Sequence, residues 1–194
     1  MPNDDFEAIL ETLKRSALAL RDADVPFLLG GGLAVWARGG SESDHDLDLM
    51  VKPDDAKRAL DALAHAGMRP ERPPENWLLK AHDENGVLID LIFSPASGDI
   101  TDEDFARGDD MEVNAVRMNV MSLEDVLATK LFALNEQHLD YKGLVQIARA
   151  VREQIDWSTV RTRTASSPYA RAFFTLVEEL GIVEPLSEAP VTAA

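Results

Sequence analysis

Cysteine is absent from the 194 residues, so disulfides, thiolate catalysis and cysteine-ligated zinc are all excluded. Long apolar runs are missing too: no stretch approaches the roughly 18 residues that a membrane-spanning helix requires. Met1 to Glu7 is acidic and has no basic stretch leading into an apolar one, so no secretory signal is expected, and the expected location is the cytoplasm without membrane attachment. Positive charge is scarce. Nineteen Lys and Arg face 35 Asp and Glu, a formal charge of −16, which argues against a protein that coats nucleic acid. The shortage is uneven, however. Between His138 and Phe174 six basic residues (Lys142, Arg149, Arg152, Arg161, Arg163, Arg171) face three acidic ones (Asp140, Glu153, Asp156), a net +3 that leaves −19 elsewhere. A polyanionic partner would meet this segment; the plainer alternative is a set of solvated helix faces.

The apolar share of 45% is enough for a folded core. Phe6, Ile9, Leu10, Leu13, Ala17 and Leu20 recur at helical spacing over Asp5 to Arg21. Val25 to Leu29 reads as a buried strand ending in the turn Gly30-Gly31-Gly32, and Leu33 to Arg38 as a short helix. Asp46 to Val51 alternates acid and apolar residues, the pattern of a strand with one buried face. A helix is expected over Asp54 to His65, with Gly67 closing it. Met68 to Asn76 reads as a loop, Trp77 to Ala81 and Val87 to Phe93 as strands around a turn at Asp83 to Gly86. Ser94 to Asp110 reads as irregular, and Val113 to Val120 as a further strand. At Ser122 the character turns helical, with Ser122 as the cap and acids in the first turn. Breaks fall near His138, Asp156 and Ser166-Ser167-Pro168. The expected organisation is an α/β half over residues 1–121, a helical half over 122–182 and a flexible tail over 183–194.

Chemistry concentrates in three acids. Asp46 and Asp48 are two apart on one strand, so their side chains share a face, while Leu47, Leu49 and Val51 point to the core. Two carboxylates held about 4 Å apart repel by roughly 4 kcal/mol at an effective dielectric near 20. A cation relieves that cost, and hard oxygen ligands on a rigid strand suit Mg2+, which needs only one or two carboxylates. Asp90 interrupts the apolar run Val87-Leu-Ile-Asp-Leu-Ile-Phe93, where a lone acid is out of place. It makes sense if its strand neighbours that of Asp46 and Asp48. A third acid can then ligand metal or accept a hydroxyl proton. Lys80 reads as a strand-edge lysine. Trp36, Trp77 and Trp157 read as packing. His45 should face away from the acids, and His65, His82 and His138 are not spaced as a metal set.

The strand-glycine turn Leu29-Gly30-Gly31-Gly32, the strand motif Asp46-Leu47-Asp48 and the later Asp90 together resemble the polymerase-β-like nucleotidyltransferase superfamily. The stretch from Gly31 to Gly39 followed by Asp46 to Leu49 is similar to its AbiEii/MenT-type branch, the toxins of toxin–antitoxin pairs. It is also similar to small antibiotic nucleotidyltransferases of the lincosamide and aminoglycoside type. Leu127-Ala-Thr-Lys130-Leu and His138-Leu-Asp140-Tyr141-Lys142 resemble that branch's helical motifs. The resemblance covers about residues 25–150.

It implies an α+β fold: a mixed sheet with flanking helices, followed by a C-terminal helical bundle. It also implies roles. Gly31 and Gly32 would support the triphosphate of an NTP. Asp46, Asp48 and Asp90 would hold two Mg2+ ions, with Mn2+ as the substitute, and carry the catalysis together with Lys130. Lys130 and Asp140 would contact the nucleotide. Relatives commonly carry Arg and Thr where Glu42 and Asp44 stand, so the usual phosphate contact is in doubt there, and Asp44 adds a fourth acid. The implied reaction moves a nucleoside monophosphate onto an acceptor hydroxyl. The toxin-branch resemblance puts a tRNA 3′ end first as acceptor, with a cognate antitoxin protein as partner. A small hydroxylated antibiotic is the alternative acceptor, and a non-catalytic nucleotide-binding module the second alternative.

Overall fold

The computed structural model describes residues 4–41 and 46–185; Glu42, Asp44 and His45 lie outside the described residues, as does most of the expected tail. Helix α1 (Asp4–Asp22) leads into strand β1 (Leu28–Leu29), helix α2 (Gly31–Trp36), strand β2 (Leu47–Met50) and helix α3 (Ala56–His65). Strands β3 (Arg69–Glu71), β4 (Leu78–His82) and β5 (Leu88–Ile92) follow, then helix α4 (Asp102–Arg107) and strands β6 (Asp109–Val113) and β7 (Val116–Val120). Four helices complete the chain: α5 (Leu123–Ala133), α6 (Tyr141–Val151), α7 (Trp157–Arg163) and α8 (Pro168–Glu179).

The seven strands form one mixed sheet in the order β3-β4-β5-β2-β1-β7-β6. The pairs β2–β5 and β1–β7 are parallel and the other four antiparallel. This is the α+β class expected from the sequence. The apolar stripe of α1 is buried as its spacing requires, Leu13, Ala17 and Leu20 completely. Helix α1 packs on α3, which covers β3, β4 and β5, while α2 packs on β2 and on α5. Helix α5 in turn supports α7 and α8, where Phe173 and Phe174 fill the core. Among the described residues no helix is long and apolar enough to cross a membrane.

Three local expectations are corrected. Arg69 to Glu71 is an edge strand rather than loop; an edge tolerates Pro70, whose missing N–H would break an inner ladder. Residues 94–110 are not wholly irregular. The Asp104 carboxylate accepts the backbone N–H and hydroxyl of Thr101, both at 2.7 Å, which starts α4. The expected strand Val113 to Val120 is the second half of a hairpin that turns through Asn114 (φ 48°) and Ala115 (φ 63°). That left-handed pair suits a two-residue turn, but alanine rarely signals one. The helix starts were legible. Asp125 N–H donates to Ser122 Oγ, Gly143 N–H to Asp140, Thr159 N–H to Asp156 and Ala170 N–H to Ser167.

Candidate active site

Strands β2 and β5 run parallel with Asp48 directly opposite Asp90, and β4 runs antiparallel to β5 with Lys80 directly opposite Asp90. Directly opposed residues share a face of the sheet. Acid, acid and ammonium therefore stand in one row across three strands. Lys80 Nζ donates to Asp90 Oδ1 at 2.8 Å. Lys80 is thus not an edge residue, because β3 covers that side of β4. Its pairing with Asp90 was invisible in the sequence, which does not reveal which strands become neighbours. Asp46 lies two residues ahead of Asp48, and its charge acts on Asp48, Asp90 and Lys80.

The row is held by apolar neighbours. Leu47, Leu49, Ile89 and Leu91 are fully buried on the opposite face, so a shift of one residue would carry the acids into the core. Backbone bonds tie the strands to the glycine turn: Gly30 N–H donates to the Asp48 carbonyl at 2.9 Å, and Met121 N–H to that of Leu29 at 2.9 Å. Gly31 adopts φ +55° against the Asp48 carboxylate.

Burial and neighbouring charge both act on the carboxyls of the row. Burial pushes the Asp48 carboxyl up to about 7, with the Asp90 and Asp46 charges adding to the rise and Lys130 and Lys80 opposing it. Burial also raises Asp90 above the usual carboxylate range, though the Lys80 hydrogen bond and charge pull it back. Burial works against the Lys80 ammonium, but its bond to Asp90 and the surrounding acids leave it above the ordinary lysine value.

A cleft of about 700 Å³ reaches this row at Asp48, while Asp46, Asp90 and Lys80 are not among its lining residues. Asp48 and Gly31 line its inner end, and Thr129 and Lys130 of α5 one wall. Helix α5 starts at the Ser122 cap and is anchored by Asp125, so its first two turns place Lys130 over the sheet. A second cavity of about 210 Å³ shares Lys130 and Ala133 and is lined further by His138 and Asp140. The structure thus sets Asp48 opposite Asp90 on neighbouring strands, with Asp46 just ahead of β2, and brings Gly31, Asp48 and Lys130 to one cleft. Gly32 is not among the lining residues of that cleft. Asp140 caps α6 and lines the neighbouring cavity instead. Trp77, read from the sequence as packing, lines the large cleft and is 39% exposed.

As placed, no three acidic or histidine side chains among the described residues are grouped to hold one ion, and Lys80 occupies one oxygen of Asp90. The donor set nonetheless fits a hard divalent cation. Mg2+ asks for one or two carboxylates and completes its shell with phosphate and water.

The comparisons with known proteins bear on the family and the fold. A family model described as "Uncharacterised nucleotidyltransferase" matches residues 8–178. No curated protein matches the chain. Among solved structures, the antibiotic-resistance factor ANT(2'')-Ia in solution is similar at 15% identity with a TM-score of 0.62, over 89% of this chain and 96% of that one. A crystal structure of ANT(2'')-Ia with adenylyl-2''-tobramycin has the same identity and TM-score over 86% and 97%. A Thermotoga maritima structure, described as that of a nucleotidyltransferase, has 16% identity and a TM-score of 0.52 over 74% and 90%. At such identities the likeness shows the fold, which is the nucleotidyltransferase-like mixed sheet with flanking helices that the sequence led us to expect. The AbiEii/MenT branch finds no support in these comparisons.

Proposed function

Because the chain belongs to the nucleotidyltransferase family described as uncharacterised, we propose that it moves a nucleoside monophosphate from an NTP to a hydroxyl of a small cationic acceptor. The observation that carries the reading is the in-register row of Asp48, Asp90 and Lys80, whose Asp48 lines the same cleft as Lys130.

Asp46 and Asp48 would hold the divalent ion, with Asp90 beside them, and Mg2+ is the ion this oxygen set suits. Once bound, the ion supplies charge neutralisation at the phosphates and favours the ionised acceptor oxygen. Lys130 binds the triphosphate from the α5 side. Gly31 leaves room for the carboxylate and the phosphates beneath it. Asp90, held by Lys80 through one oxygen, takes the acceptor hydroxyl proton on the other. The new acceptor oxygen–α-phosphorus bond forms as the bond to the β-phosphate bridge breaks, and pyrophosphate leaves.

The acceptor class rests on charge: the chain's −16 suits a cationic molecule. ANT(2'')-Ia, of similar fold, is described as an antibiotic-resistance factor. The tRNA acceptor drew its support from the basic segment between His138 and Phe174. There Arg152 is paired with Glu153, Arg161 with Glu178 and Arg163 with Asp125, so much of that charge is tied up internally. A tRNA 3′ end and an antitoxin partner therefore rest on the sequence resemblance alone.

The test is label transfer from α-labelled NTPs, with Mg2+ or Mn2+, to a panel of aminoglycosides, lincosamides and total tRNA. Labelled aminoglycoside or lincosamide, abolished by Asp48→Asn and by chelator, is the expected result. Label on tRNA alone would overturn the acceptor class, and transfer that survives Asp48→Asn would overturn the assignment of the site.

A further inference from the structure

Two of the three tryptophans have packing roles. Trp36 meets Phe6 edge-on at 5.1 Å between ring centroids. Trp157 meets Phe174 at 6.3 Å, and its indole N–H donates to the Arg152 carbonyl at 3.0 Å. Trp77 differs. It is 39% exposed and has no aromatic partner among the described residues. Leaving so large an apolar ring in water forfeits burial energy that the other two gain.

Its backbone is nevertheless firmly held. The Trp77 carbonyl accepts the N–H groups of both Phe93 and Ser94 at 3.1 Å, tying the start of β4 to the end of β5. The ring is therefore presented from a fixed point at the cleft wall. Beside it the cleft is lined by Met50 and Ile92 from the sheet and by Met121 and Val126 across from them. These side chains cannot bind phosphate; they suit a flat, weakly polar ring.

We propose that Trp77 is the platform on which the nucleobase of the bound NTP stacks, with the triphosphate at the Asp48 and Lys130 end of the same cleft. The inference deepens the nucleotidyltransferase reading and rests on it. Aromatic stacking tolerates any base, since every base has a π-face. The platform therefore serves all four NTPs, with purines gaining more through their larger area, and leaves the acceptor to the rest of the site.

Binding of each NTP and of inorganic tripolyphosphate, with Mg2+ and without acceptor, tests this by titration calorimetry. Tripolyphosphate carries the phosphates but no base. Trp77→Leu is expected to weaken ATP and GTP on the order of 10-fold, CTP and UTP less, and to leave tripolyphosphate within about 2-fold. Trp77→Phe is expected to keep most of the ATP affinity. Equal weakening of ATP and tripolyphosphate would overturn the platform, as would unchanged ATP binding in Trp77→Leu; the latter would assign the ring to the acceptor. In either case the nucleotidyltransferase reading would stand. Wild-type protein that binds neither ligand would overturn both.

Discussion

A Cβ atom on Gly31 would lie 1.6 Å from Oδ2 of Asp48 and 2.6 Å from its Cγ. No side chain but hydrogen fits there. The backbone adds a second demand, because φ is +55° and a left-handed conformation costs an L-residue roughly 1–2 kcal/mol. Gly31→Ala should therefore fail in two ways. The Asp48 carboxylate must swing out of its place in the row, and the turn must strain. The expected result is a folded protein by circular dichroism, destabilised by at least about 1 kcal/mol, with nucleotidyl transfer down 100-fold or more. Transfer within 10-fold of wild type would mean that the Asp48 position is not what the glycine protects.

Lys80 and Asp90 are only partly open to solvent, at 22% and 11% of their side-chain surface. Removing one partner leaves the other charge poorly solvated, which costs more than an exposed pair would. Lys80→Met keeps the length and apolar stem but removes the ammonium. The metal-free variant is expected to lose about 1–3 kcal/mol, read as a lower Tm. Added Mg2+ should then raise the Tm by more than it does in wild type, because the cation replaces the missing positive charge beside three acids. Equal Mg2+ shifts in the two proteins would show that Lys80 and metal do not share the carboxylate.

The acids were legible in the sequence because they break rules that an ordinary strand obeys. Asp48 alternates with buried leucines, and Asp90 interrupts an apolar run. The register that makes them neighbours was not legible, since Asp48 and Asp90 are 42 positions apart and only the parallel pairing of β2 with β5 joins them. The same applies to Lys80, which looked like an edge residue because Pro70 hid β3. Trp77 carries no sequence signal that separates it from Trp36 or Trp157; its difference is exposure, a property of tertiary structure. The Thr101–Asp104 start of α4 was readable as a cap followed three residues later by an acid, but the surrounding acids masked it.

Lys130 and Asp140 both line the smaller cavity, but only Lys130 also lines the large cleft, while Asp140 caps α6. Their substitutions should diverge. Lys130→Ala is expected to weaken tripolyphosphate and NTP together, on the order of 10-fold, as loss of a charge-assisted bond to phosphate does. Asp140→Ala should cost about 1 kcal/mol of stability as the α6 cap is lost, with NTP affinity within about 2-fold. Comparable losses of NTP affinity in both variants would place Asp140 in the nucleotide site as well.

Helix α5 delivers Lys130, and its first turn is anchored by Asp125, which is 1% exposed. Arg107 Nε donates to Asp125 Oδ2 at 2.9 Å, the Ser122 hydroxyl donates to the same oxygen at 2.7 Å, and Arg163 of α7 pairs with Oδ1. Burial alone would raise this carboxyl, but the bonds from Arg107, Ser122 and Arg163 outweigh it and hold it below the usual range. A carboxyl that is more acidic folded than unfolded stabilises the fold above its unfolded value of about 3.9 and loses that contribution as pH falls through the folded value. Asp125→Asn removes the charge and leaves two arginines facing an amide. At pH 7 the variant should be less stable by about 3 kcal/mol or more, the scale for breaking a buried pair. The gap between variant and wild type should stay constant down to about pH 4 and then close as wild-type Asp125 takes up its proton. Urea midpoints measured from pH 7 to pH 2.5 test this. A gap that widens on acidification would mean that the carboxyl is held above its ordinary value and that the two arginines do not govern it.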